Sequence, residues 1–186
     1  INIKYGKKQR EKVKEYSKRY ANKSEPYNPE YRVFDSDCAN FVSQCLKYAG
    51  FHETYKWNYV KRLVFIRRFD ETSRAWSLAY DQYKYFSKKK FCKKKITVKI
   101  NSRKKTKDVR TGDLLYWATK QRDGRIAHST IVYSNDKENN KRVLRYSGHT
   151  KLSIDNKVGD KFIRKNNYSK IVILRLRDNI NISWLY

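Results

Sequence analysis

The segment DCANFVSQCLKYAG, residues 37–50, constrains the fold more than any other part of the chain. Its apolar residues recur at the three- and four-residue spacing of an α-helix, so they share one face. That stripe consists of Cys38, Phe41, Val42, Cys45, Leu46 and Ala49. Ser36 or Asp37 precedes it as a candidate N-cap, and Gly50 follows as a C-terminal stop. The pattern predicts a helix buried in the core.

The periodicity of the remaining chain changes at Gly112. Before it, amphipathic patterns predict a helix over Ile3–Ala21 and another that opens at Thr72 or Ser73. After it, apolar residues alternate, and turn signals such as Arg-Asp-Gly and Asn-Asn separate the segments. Strands are predicted at 113–118, 127–133, 142–148 and 170–177. Helices followed by an antiparallel meander indicate a single α+β domain over residues 1–186, with N-terminal helices packed on the sheet.

One stretch of the chain, residues 84–107, is unusually basic. It has 12 Lys or Arg in 24 residues and no acidic residue. A run of this kind is typical of a flexible arm, but it also fits an edge strand around Ile96–Ile100 that lysines protect from pairing with other chains. We treat it as a basic insertion in the domain and leave both structures open.

The overall charge limits the partners of the protein. Its 186 residues include 45 Lys and Arg against 18 Asp and Glu, which gives a net charge of +27. Such a chain should be drawn to polyanions: nucleic acid, anionic membrane surfaces or the polymers of a Gram-positive wall. The alternative is that the lysines serve only solubility. With 39% hydrophobic residues the chain is not disordered, and no apolar run is long enough to span a bilayer.

The three cysteines do not form a disulfide framework. Cys38 and Cys45 are seven residues apart on one predicted helix, about 10 Å along its axis, which is too far for a disulfide. Neither CxxC nor a Cys/His pair at zinc spacing occurs, so we expect no metal and no cofactor. Because the chain begins at Ile1 and contains no Met, we expect a processed product or an excised domain.

Cys38 is the candidate nucleophile. A thiol in the first turn of a helix lies near free backbone N–H groups and the positive end of the helix dipole, and both lower its pKa. Asp37 would raise that pKa unless its carboxylate turns away into the cap. The alternative is that Cys38 is a small buried apolar residue, which is how we interpret Cys45.

A nucleophilic cysteine needs a base, and the base needs an orienting group. His128 opens the predicted strand AHSTIVY, and His149 ends the following one. If these strands form a hairpin, the two histidines lie side by side as base and orienter. His52 follows the glycine stop of the helix, so we expect it at the surface.

These residues carry a family resemblance. DCANFVSQCL resembles the DCTNFVSQCL signature of the bacterial Putative amidase domain family, with Ala39 in place of the usual Thr. Further matches follow in the order of that family over nearly the whole chain: Asn28-Pro29, Trp57, the segment 73–76, Gly112-Asp113, Ala127-His128 and His149-Thr150. The family resembles papain-like cysteine hydrolases and is related to the NlpC-type and CHAP cell-wall enzymes.

The resemblance implies a papain-like cysteine hydrolase with Cys38 as nucleophile, His128 as base and His149 as the third polar member. It implies a thioester intermediate and an oxyanion held by the Cys38 backbone N–H and a second donor, for which Asp37, Tyr31 and Ser36 are candidates. We therefore expect a monomeric amidase or peptidase that hydrolyses an amide bond of peptidoglycan at the bacterial cell wall, as an endolysin or autolysin module does.

Two other functions stay open. One is a secreted cysteine protease or deamidase toxin that acts on a protein, with the same catalytic residues. The other is a nucleic-acid-binding module on a degenerate hydrolase fold, with Tyr85, Phe86 and Phe91 among the lysines available for base stacking. No sequence motif for nucleic-acid recognition accompanies these aromatics, so such binding would be non-specific.

Overall fold

A computed structural model describes residues 2–61, 72–99, 106–120, 124–149, 153–158 and 167–183. Its helices are α1 Lys7–Tyr20, α2 Cys38–Tyr48, α3 Arg74–Ser77 and α4 Ala79–Phe86. Its strands are β1 Cys92–Lys99, β2 Leu114–Thr119, β3 Ile126–Glu138, β4 Lys141–Gly148, β5 Ser153–Lys157 and β6 Tyr168–Leu176. Within these ranges no helix combines the length and the apolar character needed to cross a membrane.

The six strands form one antiparallel sheet in the order β1-β6-β2-β3-β4-β5. This confirms the α+β class and the four strands predicted after Gly112. β2 to β5 follow one another as a meander, and Asn139 and Asn140 make the β3–β4 turn with positive φ angles of 49° and 60°. β6 departs from the meander because it returns to pair with β2 on one side and β1 on the other.

The two faces of the sheet bury separate sets of side chains. Along β2, Leu114, Tyr116 and Ala118 pack in the core shared with the helices, whereas Leu115 and Trp117 pack in a second cluster on the opposite face. This alternation follows from the two-residue period of a strand. The almost continuous burial of β2 is therefore the sign of a strand covered on both faces.

The N-terminal segments differ from the helices predicted for them. α1 begins at Lys7 and not at Ile3, because Ile3 and Tyr5 exchange backbone hydrogen bonds with Ile180 and Ile182 near the other end of the chain. The helix predicted from Thr72 or Ser73 is divided into α3 and α4 by an extended residue, Leu78.

α2 is buried on its polar face as well as on its apolar stripe. All residues from Cys38 to Leu46 are buried. The side chain of Ser43 accepts a hydrogen bond from the Trp57 indole, and Gln44 accepts one from the Tyr16 hydroxyl. The helix predicted for the core is thus enclosed by aromatic partners that satisfy its polar groups.

The basic stretch contributes a strand to the sheet. β1 lies at the edge, where Lys93, Lys94, Lys95 and Lys99 are exposed and Ile96 and Val98 are buried. Of the two structures left open, the edge strand is confirmed for residues 92–99. Residues 100–105 lie outside the described part of the chain.

A buried cluster of charged residues joins α1 to the sheet. The Arg10 guanidinium donates to the Asp113 carboxylate at 2.9 Å and to the backbone carbonyls of Thr111 and Leu176. Asp113 also accepts the Leu176 N–H, and Arg175 lies 3.5 Å away from it. Asp113 therefore fixes the loop before β2, the end of β6 and α1 to one another.

We expect the variant Asp113→Ala to lose about 3 kcal/mol of unfolding free energy, because it removes the fully buried carboxylate from Arg10 and Arg175 and leaves them the partly exposed carboxylate of Asp178. The matched control is Asp108→Ala, since the Asp108 side chain makes an exposed pair with Lys94 at 3.3 Å. That pair should contribute less than about 1 kcal/mol. Urea unfolding measures both. Equal losses in the two variants would contradict the role of Asp113.

Candidate active site

The Cys38 thiol lies at the first position of α2, where the helix meets the sheet. It is 2% exposed, and the backbones of Ser129 and Ala39 lie near enough to its sulfur to lower the pKa of the thiol. The Ser36 hydroxyl is 3.9 Å from that sulfur. The thiol therefore has polar neighbours in its own helix, in the preceding loop and in β3.

An irregularity in β3 lies at His128, next to the residue whose backbone is near this thiol. In the ladder with β2, Trp117 pairs with His128 but the next residue, Ala118, pairs with Ile126. β3 thus has an extra residue at this point, the mark of a β-bulge, which re-aims side chains next to it. His128 directly precedes Ser129, whose backbone lies near the Cys38 sulfur. The bulge therefore lies at the predicted base, one residue from the strand position nearest to the predicted nucleophile.

Burial dominates the electrostatics of both residues. Burial raises the pKa of the Cys38 thiol, and its hydrogen bonds with Ser129, Ser36 and Ala39 only partly offset this; the neighbouring charge of Asp37 adds a smaller increase. Burial also lowers the pKa of His128 to about 4. At neutral pH the site therefore holds a thiol and a neutral imidazole, with His128 free to accept a proton.

His149 lies in a different arrangement from the one that we expected. β3 and β4 do pair, with Ile131 opposite Ser147. The His149 ring, however, faces α1 and α2: Nδ1 is 2.5 Å from Asp37 Oδ2, and Nε2 is 2.6 Å from the Tyr20 carbonyl oxygen. Both ring nitrogens are occupied, so His149 does not make the orienting hydrogen bond to His128.

Asp37 is the residue whose role sequence reasoning missed. It occupies the N-cap position as predicted, but its carboxylate makes no capping bond to the backbone of α2. Instead Oδ1 accepts the Phe34 N–H at 2.9 Å and the Asn40 amide at 2.8 Å, while Oδ2 faces His149. The carboxylate does turn away from the Cys38 thiol. The available signal was an acidic residue beside a buried helix start, which needs a cationic or N–H partner.

Three side chains were candidates for the second oxyanion donor: Asp37, Tyr31 and Ser36. Their contacts in the structure distinguish among them. Asp37 accepts hydrogen bonds through both oxygens. The Tyr31 ring packs on Tyr59 and Trp76, with ring centroids 4.9 and 5.9 Å apart. Ser36 is the candidate whose hydroxyl lies against the Cys38 sulfur. Tyr168 is a further neighbour, since its ring is parallel to that of His128 at a centroid distance of 6.5 Å.

The remaining cysteines and the third histidine lie elsewhere. Cys45 is enclosed in the helix core, Cys92 begins β1, and all three cysteines are free. His52 is exposed, as expected. In the described part of the chain, no three His, Cys, Asp or Glu side chains form a group that could hold a metal ion.

Comparison with known proteins gives three matches. The profile of the family described as Putative amidase domain matches residues 7–173. The Uncharacterized protein YhbB of Bacillus subtilis (strain 168) is 28% identical over 125 residues, which are 67% of this chain and 37% of the Bacillus protein. This chain therefore spans well under half the length of that relative.

The third match is a solved structure, an N-acetylmuramoyl-L-alanine amidase from Bacteroides uniformis ATCC 8492. The alignment covers 91% of this chain and 99% of that one, with 15% sequence identity and a TM-score of 0.45.

We expect the ultraviolet absorbance of a thiolate at Cys38 to be absent between about pH 5 and pH 8, because burial keeps the thiol protonated. The difference between the wild type and Cys38→Ser, titrated with pH, measures it. The signal should appear only above the ordinary thiol range. Cys92→Ser serves as the matched control for a cysteine away from His128. A Cys38 thiolate that is already present near pH 5 would contradict a neutral pair and indicate a thiolate–imidazolium pair.

Proposed function

This chain belongs to the Putative amidase domain family, and we propose that it is a cysteine amidohydrolase that cleaves an amide bond of peptidoglycan. Cys38 is the nucleophile and His128 the general base. The observation that supports the proposal is the packing of α2 against β3, which brings Cys38 near Ser129, the residue that follows His128.

The first half of the reaction forms a thioester. As the Cys38 sulfur attacks the amide carbonyl carbon, its proton passes to the neutral imidazole of His128. The carbonyl oxygen becomes an oxyanion, which the Cys38 backbone N–H stabilises; the first N–H groups of a helix have no acceptor within it. The C–N bond then breaks, and His128 returns the proton to the departing amine.

The second half regenerates the enzyme. His128, neutral again, takes a proton from a water molecule as the oxygen attacks the thioester carbonyl. The C–S bond breaks, the product leaves as a carboxylic acid, and the proton on His128 returns to the Cys38 sulfur. Because the pKa of His128 is lowered to about 4, the imidazole is neutral over the neutral pH range and would hold a proton only briefly during each step.

The substrate class rests on the family resemblance and on charge. The resemblance is to enzymes of the cell wall, whose polymers carry phosphate and carboxylate groups. The net charge of +27 would concentrate the protein on such polymers by long-range attraction. Exposed lysines are available for this on α1, at Lys7, Lys8 and Lys18, and along β1. We propose the wall as the site of action on the same grounds.

We expect purified Gram-positive sacculi to release new amino groups, without new reducing ends, when treated with the wild type. Cys38→Ala should lower the rate at least about 1000-fold, since it removes the nucleophile. His128→Ala should lose a comparable amount, because thiol and base act as one unit.

The matched control is Cys92→Ala, which removes a thiol from β1 and should retain the wild-type rate. Activity that survives Cys38→Ala would refute the cysteine mechanism. If the wild type releases nothing from sacculi but hydrolyses a protein amide in a Cys38-dependent way, the mechanism would stand and the wall substrate would be wrong.

A further inference from the structure

We propose that Asp37 and His149 form a positioning pair that holds the start of α2, and with it the Cys38 thiol, against β3. His149 then acts on catalysis through Asp37, not as a member of a triad that contacts His128. The catalytic consequence of this pair rests on the proposed function, whereas its geometry does not.

The pair ties three segments of the chain at one point. His149 directly follows β4, Asp37 directly precedes Cys38, and the Tyr20 carbonyl ends α1. The two contacts of the His149 ring, 2.5 Å to Asp37 and 2.6 Å to Tyr20, therefore join the last residue of one helix to the first turn of the next and to the sheet. A shift of any of these segments would move the Cys38 sulfur relative to β3.

The two contacts of the His149 ring require hydrogens at particular atoms. The Tyr20 carbonyl has no hydrogen to give, so Nε2 of His149 must carry one and donate it. A second hydrogen must lie between Nδ1 and Asp37 Oδ2. Asp37 Oδ1 already accepts from Phe34 and Asn40, so Oδ2 is the oxygen left to share that hydrogen with His149. The pair therefore needs one hydrogen on Nε2 and one between Nδ1 and Oδ2.

Because the pair is buried, any other orientation of the His149 ring is unfavourable. The side chains of His149 and Asp37 are 1% and 5% exposed. The Phe41 ring stacks on the His149 ring at a centroid distance of 4.1 Å, and the Tyr27 ring meets it edge-on at 5.1 Å. If the His149 ring turned towards His128, it would leave Asp37 Oδ2 and the Tyr20 carbonyl oxygen without this donor in a buried place, which is unfavourable.

The first test does not depend on activity. The protein has three histidines, so ¹⁵N NMR of the imidazole nitrogens at neutral pH can be assigned with single His→Gln variants. We expect Nε2 of His149 to carry a hydrogen and Nδ1 of His149 to give the signal of a nitrogen in a short hydrogen bond. Asp37→Asn should shift the Nδ1 signal, while the Nε2 hydrogen that Tyr20 accepts persists. A bare Nε2 in the wild type, or an Nδ1 signal that Asp37→Asn leaves unchanged, would overturn the proposal.

The second test is a double-mutant cycle on kcat. His149→Ala and Asp37→Ala should each lower kcat about 100-fold through misplacement of the thiol, with KM nearly unchanged. Because both residues serve one function, the double variant should be no more than about threefold worse than either single variant. A triad role of His149 predicts instead that its loss remains costly when Asp37 is already absent, and that result would overturn the proposal.

A conservative variant distinguishes misplacement of the thiol from loss of folding. Asp37→Asn keeps the acceptor for Phe34 and Asn40 and gives His149 an N–H partner without a charge, so kcat should stay within about tenfold of the wild type. His52→Gln, at an exposed histidine, is the matched control and should leave kcat unchanged. If Asp37→Asn is folded but as inactive as Asp37→Ala, the positioning account fails. If the wild type itself is inactive, the proposed function fails and the NMR result alone decides the pair.

Discussion

The candidate active site depends on one carboxylate, that of Asp37. It accepts the Phe34 N–H and the Asn40 amide through one oxygen and faces His149 through the other. Asn40 in turn accepts from the Trp76 indole, so the same residue that orients Asp37 also fixes α2 against α3. The start of α2, and therefore Cys38, has little freedom to move, which is the preorganisation that a nucleophile requires.

The burial of the site also determines the protonation states of Cys38 and His128. Desolvation raises the pKa of Cys38 and lowers that of His128 to about 4, so both favour the uncharged form. In the proposed reaction, the N–H groups at the start of α2 would face the negative charge that develops on the substrate. Positive and negative charge would then be separated only during the reaction.

The sequence predicted what depends on local pattern. The stripe from Cys38 to Ala49 predicted the core helix, and alternation after Gly112 predicted four strands, because burial on one helix face or one strand face repeats at a fixed spacing. Ser36 or Asp37 was predicted as the N-cap, and Asp37 occupies that position. Its partner His149 could not be identified from spacing alone: adjacency of strands β3 and β4 was correctly expected, but the direction of a side chain just past the end of β4 depends on tertiary packing. For the same reason the sequence did not predict that β6 lies between β1 and β2, or that β3 has a bulge before Ser129.

The most direct test of the account is intact mass spectrometry of the protein, acid-quenched during turnover of soluble peptidoglycan fragments, followed by peptide mapping. The account predicts an acyl group in thioester linkage on the peptide that contains Cys38, and its absence in Cys38→Ala. An acyl group on another residue, or turnover of the same fragments by Cys38→Ala, would contradict it.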